Sequence, residues 1–223
     1  MSTLLLITYL FYHSFKEALI SRTVAQLTSI NDLKQIYIQD YFEGMQQSTQ
    51  LLVRNIPVTD LLQKGSAQQD TSGRNASFAL LQQEFAYQDL LLFDTSRHLV
   101  FHQSHSFFFP HHTSGEFKAI QGLLEKSLQS PQLGEIILHG EYTLFSAVPV
   151  KDTSGTAIGI ALARLPATPM EYVLNLRNGI GNTGESYVVG ADFRMRSHSR
   201  FFPEKSPRAW KYVLKRPEML CKI

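Results

Sequence analysis

Between residues 16 and 56 the chain has no proline and one glycine, Gly44, while apolar residues recur at Ile20, Val24, Leu27, Ile38, Tyr41, Met45, Leu52 and Ile56. Steps of mostly three, four or seven are the stripe of a long amphipathic helix. About 40 residues at helical rise give a rod of roughly 60 Å, which Pro57 is expected to stop. The competing reading is two shorter helices, the second capped within Ser29-Ile30-Asn31-Asp32. A rod this long usually pairs with a second copy, so a homodimer through this helix is expected.

Ahead of the rod, Leu4 to Tyr12 is an apolar run broken only by Thr8, shorter than the roughly 20 residues of a full membrane span. No Lys or Arg precedes it, as a secretory signal would require. It reads as the outer half of a membrane helix, a short or tilted anchor, or a buried helix. The unbroken continuation into the rod favours the first.

The pattern then changes. Lys64 to Ser77 is a polar surface loop, and Phe78 to Phe85 a short helix. Asp89 to Phe93 and His98 to His102 flank the turn residues Asp94-Thr95-Ser96-Arg97 and predict a hairpin. Phe117, Ile120, Leu123, Leu124 and Leu128 predict an amphipathic helix. Three further strands follow, Glu135 to His139, Tyr142 to Val150 and Ala157 to Leu165, joined by Gly140-Glu141 and Lys151 to Gly155. Five antiparallel strands with an intervening helix make an α+β, PAS-like module behind the long helix. Met170 to Asn178 is a connecting helix, and Ser186 to Gly190 with Met195 to Arg200 reads as a hairpin.

Composition narrows the class. With 223 residues, 43% hydrophobic and 18% charged, the chain can bury a sizeable core. A formal charge of +2 gives no ground for nucleic acid as a partner. The single cysteine, Cys221, excludes an internal disulfide. No CxxC, HExxH, Walker or nucleophile-elbow pattern occurs, so no enzyme activity, cofactor or metal is indicated. His98, His102, His105, His111 and His112 cluster near Phe107 to Phe109, but His98 and His102 would lie about 13 Å apart on a strand, too far for one ion without other ligands. Ordinary surface histidines are the simpler reading. Asp89, Asp94, Glu135 and Glu141 have no spacing that forces a catalytic pair, and Asp94 is explained as a turn residue.

A PAS-like fold holds ligands between its sheet and the elements covering it, a concave site with few polar groups. The inward candidates are Tyr87, Asp89, Tyr142, Phe145, Ser146 and Arg164, each weighed against a plain core or surface role. Arg194, Arg196 and Arg200 read first as a solvated strand face, with ligand contact as the alternative.

The segment Gly179 to Phe201, GIGNTGESYVVGADFRMRSHSRF, resembles a signature of bacterial extracytoplasmic double Cache sensor domains, roughly GxTGExYLVGxDxxMRSxSRF. Gly181, Thr183, Gly184, Glu185, Tyr187, Gly190, Asp192, Met195, Arg196, Ser197, Ser199 and Arg200 carry the match. FAYQDLLLFDTSRHLVFH is similar to the family's first hairpin and FSAVPVKDTSGTAIGIALARLP to its paired last strands, so the likeness covers about residues 15 to 202. It implies a small-molecule sensor of a chemoreceptor, sensor kinase or membrane cyclase, with a ligand such as an amino acid or carboxylate. Anchorage in the bacterial inner membrane, with the sensor facing the periplasm, is implied too. The implied organisation is 1–15 membrane segment, 16–57 stalk, 58–168 first module, 169–202 linker helix and opening of a truncated second module, and 203–223 an atypical tail. The tail is expected to reflect a shifted frame or truncated gene, leaving the chain without its output domain. Two departures stand out: the tight Gly140-Glu141 turn replaces a longer pocket loop, and the family's Arg-then-Trp-Tyr amino-acid motif is not visible. The alternative is a soluble PAS-like dimerisation protein without ligand.

Overall fold

The computed structural model describes residues 2–54, 62, 87–102, 114–138, 141–190 and 195–201. Helix α1 runs unbroken over Ser2–Leu52, so no second helix starts at Ser29 to Asp32. It ends ahead of Pro57, which lies outside the described residues. Its buried positions, Lys34, Ile38, Thr49 and Leu52, continue the predicted stripe. Toward its start every described residue from Thr3 to Ser29 is exposed. Among the described residues no helix is long and apolar enough to cross a membrane.

The remaining elements are β1 (Asp89–Asp94), β2 (Leu99–His102), α2 (Gly115–Ser127), β3 (Gln132–Leu138), β4 (Glu141–Lys151), β5 (Ala157–Leu165) and α3 (Thr168–Asn175). The strands form one antiparallel sheet in the order β2-β1-β5-β4-β3, the predicted five-stranded PAS-like layer. Its turns follow their side-chain chemistry. Asp94 Oδ1 accepts the His98 N–H at 2.8 Å beside Arg97, whose φ is 68°. In the β4–β5 turn Asp152 Oδ1 accepts from the Ser154 hydroxyl at 2.6 Å and from the Thr156 and Ser154 amides, both at 2.9 Å, and those bonds, the hydroxyl's first, hold its carboxyl below the usual range. Helix α2 starts two residues earlier than the apolar pattern implied, because Ser114 Oγ caps it by accepting the Phe117 N–H at 3.0 Å.

Alternation splits the sheet into two buried faces. One packs Leu91, Phe93, Phe145, Ala147, Ile160 and Leu162 against Ile120, Leu123 and Leu124 of α2. The other packs Leu90, Leu92, Val148, Val150, Ala161 and Ala163 against Leu52 and Val53 at the end of α1. Space between β1 and its neighbours is tight: a Cβ on Gly159 would lie 2.4 Å from the Phe93 carbonyl oxygen. A third cluster joins Ile38 of α1 to Met170 and Leu174 of α3, with Val188 packed against it.

The predicted hairpin at 186–200 is much reduced. Among the described residues it consists of one bridge, Val189 with Met195, and an Arg196 N–H to Val188 carbonyl bond of 2.7 Å. Side-chain bonds take over from ladder pairing here, as the next section shows.

Three buried or half-buried tyrosines bear on alkaline stability. Tyr41 donates to the Pro166 carbonyl at 2.6 Å, and burial raises its ionisation from 10.0 to about 12. Burial also pushes Tyr87 and Tyr142 upward. Raised phenols stabilise the fold fully below the unfolded value near 10, and that contribution is lost as pH climbs through the folded values. Urea midpoints are therefore expected to fall between about pH 9.5 and pH 12, and less so in Tyr41→Phe. A flat profile over that interval would contradict this.

Candidate ligand-binding site

The strand register places three of the six ligand candidates in one row. Asp89 of β1 faces Arg164 of β5, and Arg164 faces Phe145 of β4. Phe145 in turn faces Gly134 of β3, where the missing side chain admits Leu123 of α2. The row lies on the α2 face, one step beyond the apolar row of Leu91, Leu162 and Ala147.

The polar end of this row is chemically unusual. Asp89 is 1% exposed, a carboxylate removed from water. Its Oδ1 accepts the Leu90 N–H at 2.9 Å, and its Oδ2 lies 3.0 Å from His102 Nε2. Burial of a carboxylate is tolerated only with such partners. His102 arrives because it pairs with Leu91 on β2, which sets its side chain on the Asp89 face. Arg164 adds a guanidinium directly across the strand, at the usual separation of about 5 Å between facing Cβ atoms. Carboxylate, imidazole and guanidinium thus lie on the α2 face of the sheet, Asp89 beside His102 of the adjoining row and opposite Arg164 on β5.

The other three candidates lie elsewhere. Tyr87 precedes β1 and joins the α1-side cluster. Among the described residues its buried hydroxyl has no hydrogen-bond partner, and burial, then the Asp89 charge, disfavours its ionisation. Ser146 pairs with Ala163 and so faces α1, since it neighbours Phe145 on a strand whose side chains alternate. Tyr142 shares the parity of Ser146 and sits at the β3 edge, donating its hydroxyl to Glu135 Oε2 at 2.7 Å. Phe145 is fully buried in the α2-side core.

The two described histidines of the cluster do not converge. His98 is exposed beside Asp94, while His102 turns inward; His105, His111 and His112 lie outside the described residues. No group of three or more His, Cys, Asp or Glu able to hold a metal occurs among the described residues. Of the four carboxylates weighed for catalysis, Asp89 and Asp94 occupy opposite ends of β1, and Glu135 is engaged by an arginine.

That arginine is Arg196, which corrects the solvated-face reading. It is 8% exposed, and its Nε and Nη2 donate to Glu135 Oε2 and Oε1 at 3.2 and 2.9 Å. Its guanidinium also lies 5.3 Å from the Tyr142 ring centre. The other matched residues are similarly structural. Ser197 Oγ accepts the Val188 N–H at 3.0 Å, and Glu185 Oε1 accepts the Arg200 N–H. Arg200 donates to the Asn182 carbonyl, and Ser199 Oγ accepts from Phe201. Gly181 has a φ of 66°, and a Cβ on Gly184 would lie 2.2 Å from the Ile180 carbonyl oxygen. Thr183 and Tyr187 are exposed and Met195 makes the bridge; Asp192 and Arg194 lie outside the described residues.

No protein-family model matches the sequence, and no curated protein matches it. Solved structures do. The sensor domain of the V. cholerae histidine kinase DctB matches with a TM-score of 0.54 at 15% identity, over 72% of this chain and 61% of that one. The ligand-binding domain of the Pseudomonas fluorescens chemoreceptor CtaA, in complex with L-serine, gives 0.51 at 16% identity, over 76% and 69%. That of the Campylobacter jejuni chemoreceptor Tlp3, in complex with 4-methylisoleucine, gives 0.58 at 10% identity, over 83% and 73%.

The fold is that of a Cache-type sensor domain. At these identities the likeness is one of architecture, and this chain spans less than two thirds of the DctB domain. His102, read from the sequence as an ordinary surface histidine, instead turns inward to Asp89. Its signal was the Leu91 pairing, available only once the register of β1 on β2 is known.

Proposed function

We propose that this chain is the extracytoplasmic sensing region of a bacterial transmembrane signalling protein, of the chemoreceptor or sensor-kinase type. The Asp89–His102–Arg164 group is its recognition point for a small amino acid or carboxylate. The observation that carries this is a carboxylate 1% exposed, set beside His102 and opposite Arg164 on a fold shared with ligand-binding sensor domains. The amino-acid complexes of CtaA and Tlp3 support the ligand class. In this reading Asp89 meets an ammonium and Arg164 a carboxylate, as guanidinium geometry favours.

The long helix supports the membrane setting. Leu4, Leu5, Leu6, Ile7, Tyr9, Leu10, Phe11 and Tyr12 are all exposed, so the apolar surface surrounds the helix there instead of forming a stripe. Lipid covers such a surface, with the sheet held on the periplasmic side. Further along, exposed Ile20, Val24 and Leu27 form a stripe fit for a second copy of the helix. Residues 179–201 open a second module, and ligand binding shifts the packing of the sheet against α1.

Titration calorimetry of the chain against the common L-amino acids and small dicarboxylates tests the reading. Saturable binding is expected for at least one, weakened at least about thirtyfold in Asp89→Asn, the scale of losing one charged partner. No binding across the panel, with a product found wholly in the soluble fraction, would favour a PAS-like dimerisation protein without ligand.

A further inference from the structure

We infer that Arg196 and Glu135 form a clip coupling residues 186–201 to the outer edge of the sheet, so that each part holds the other's position. Three observations carry it. First, the contact is long-range and bidentate: Arg196 and Glu135 are 61 residues apart, joined by bonds of 2.9 and 3.2 Å. Parallel guanidinium–carboxylate bonds fix orientation as well as distance. Second, Tyr142 closes the arrangement, donating its hydroxyl to Glu135 while its ring lies against the Arg196 guanidinium. Third, space for the guanidinium is provided by Gly190. A Cβ there would lie 2.4 Å from Arg196 Nη2 and 2.5 Å from its Cζ.

Glu135 immediately follows Gly134, the last member of the row that begins at Asp89. The carboxylate end of the clip and the floor of the candidate site are therefore adjacent residues of one strand. A shift of β3 under Phe145 moves Glu135, and with it Arg196 and the bond from Arg196 N–H to the Val188 carbonyl. The coupling is reciprocal by thermodynamic necessity. The clip itself is read without ligand, so its test does not depend on the proposed recognition group.

Hydrogen exchange on the full chain without ligand is the experiment, comparing Glu135→Gln, Arg196→Gln, their double variant and Gly190→Ala. The amides of Val188 and Arg196 are expected to exchange about tenfold faster in each single variant, as loss of a part-buried charge-assisted bond implies. The double variant should show no further increase, while Leu91 and Leu162 in the sheet centre keep their protection. Gly190→Ala retains both charges and evicts the guanidinium sterically, so it keeps the test open should a charge variant fold poorly. Unchanged exchange at Val188 and Arg196 overturns the clip, as does additive loss in the double variant or equal loss at Leu91 and Leu162.

Discussion

Phe145→Ala is expected to destabilise the protein by about 3–5 kcal/mol, the range for deleting a buried phenylalanine and leaving a cavity. Phe145 is fully buried in the α2-side core, between Arg164 on one neighbouring strand and Gly134 on the other. Leu123 already occupies the space over Gly134, 2.6 Å from where a Cβ would stand. The surroundings therefore have little freedom to collapse into the vacated volume. Urea denaturation of the purified variant measures the effect. A loss below about 1 kcal/mol would mean that the ring borders an open ligand pocket and not a packed core, the role first considered for it. Phe145→Leu, which keeps most of the volume, should recover more than half of the loss.

Lys34→Ala should cost up to about 3 kcal/mol, from buried acceptors left without a donor. Lys34 is 8% exposed, and its Nζ donates to the Leu174 and Leu176 carbonyls at 2.9 and 2.8 Å and to Ser186 Oγ at 3.0 Å. Those carbonyls lie at the C-terminal end of α3, where the helix dipole also favours a cation. Burial lowers the ammonium's pKa, so charge here carries a desolvation cost that the three acceptors offset. A single side chain thereby ties the long helix, the connecting helix and the following segment together. Beyond the drop in stability, the variant should lose protection at residues 174–188 before the sheet does. Exchange that rises uniformly across the chain would assign Lys34 a general packing role instead.

Much of the architecture is legible locally. Apolar steps of three and four mark α1 and α2, and alternation between turn residues marks all five strands, β5 to the residue. At the start of α2 the boundary moved because Ser114 caps the helix. The candidate site was harder. Asp89, Phe145 and Arg164 were singled out as types, but so were Tyr87, Tyr142 and Ser146, which the sheet sends elsewhere. Facing the α2 or the α1 side depends on parity, and a shift of one residue exchanges the two faces. Both can be apolar here, because each is covered by a helix.

Arg196 is the clearest case of information absent from its neighbourhood. Spaced with Arg194 and Arg200, it has the look of a solvated strand face, and its partner lies 61 residues upstream. The residue pattern alone settled the class, the element order and the long leading helix, since those follow from periodicities and turn preferences that operate over a few residues. Which polar groups meet was set by strand register and by the docking of distant segments. Contacts of that kind are chosen by the packing of the whole molecule, because a buried charge is stable only where the assembled sheet supplies its partner.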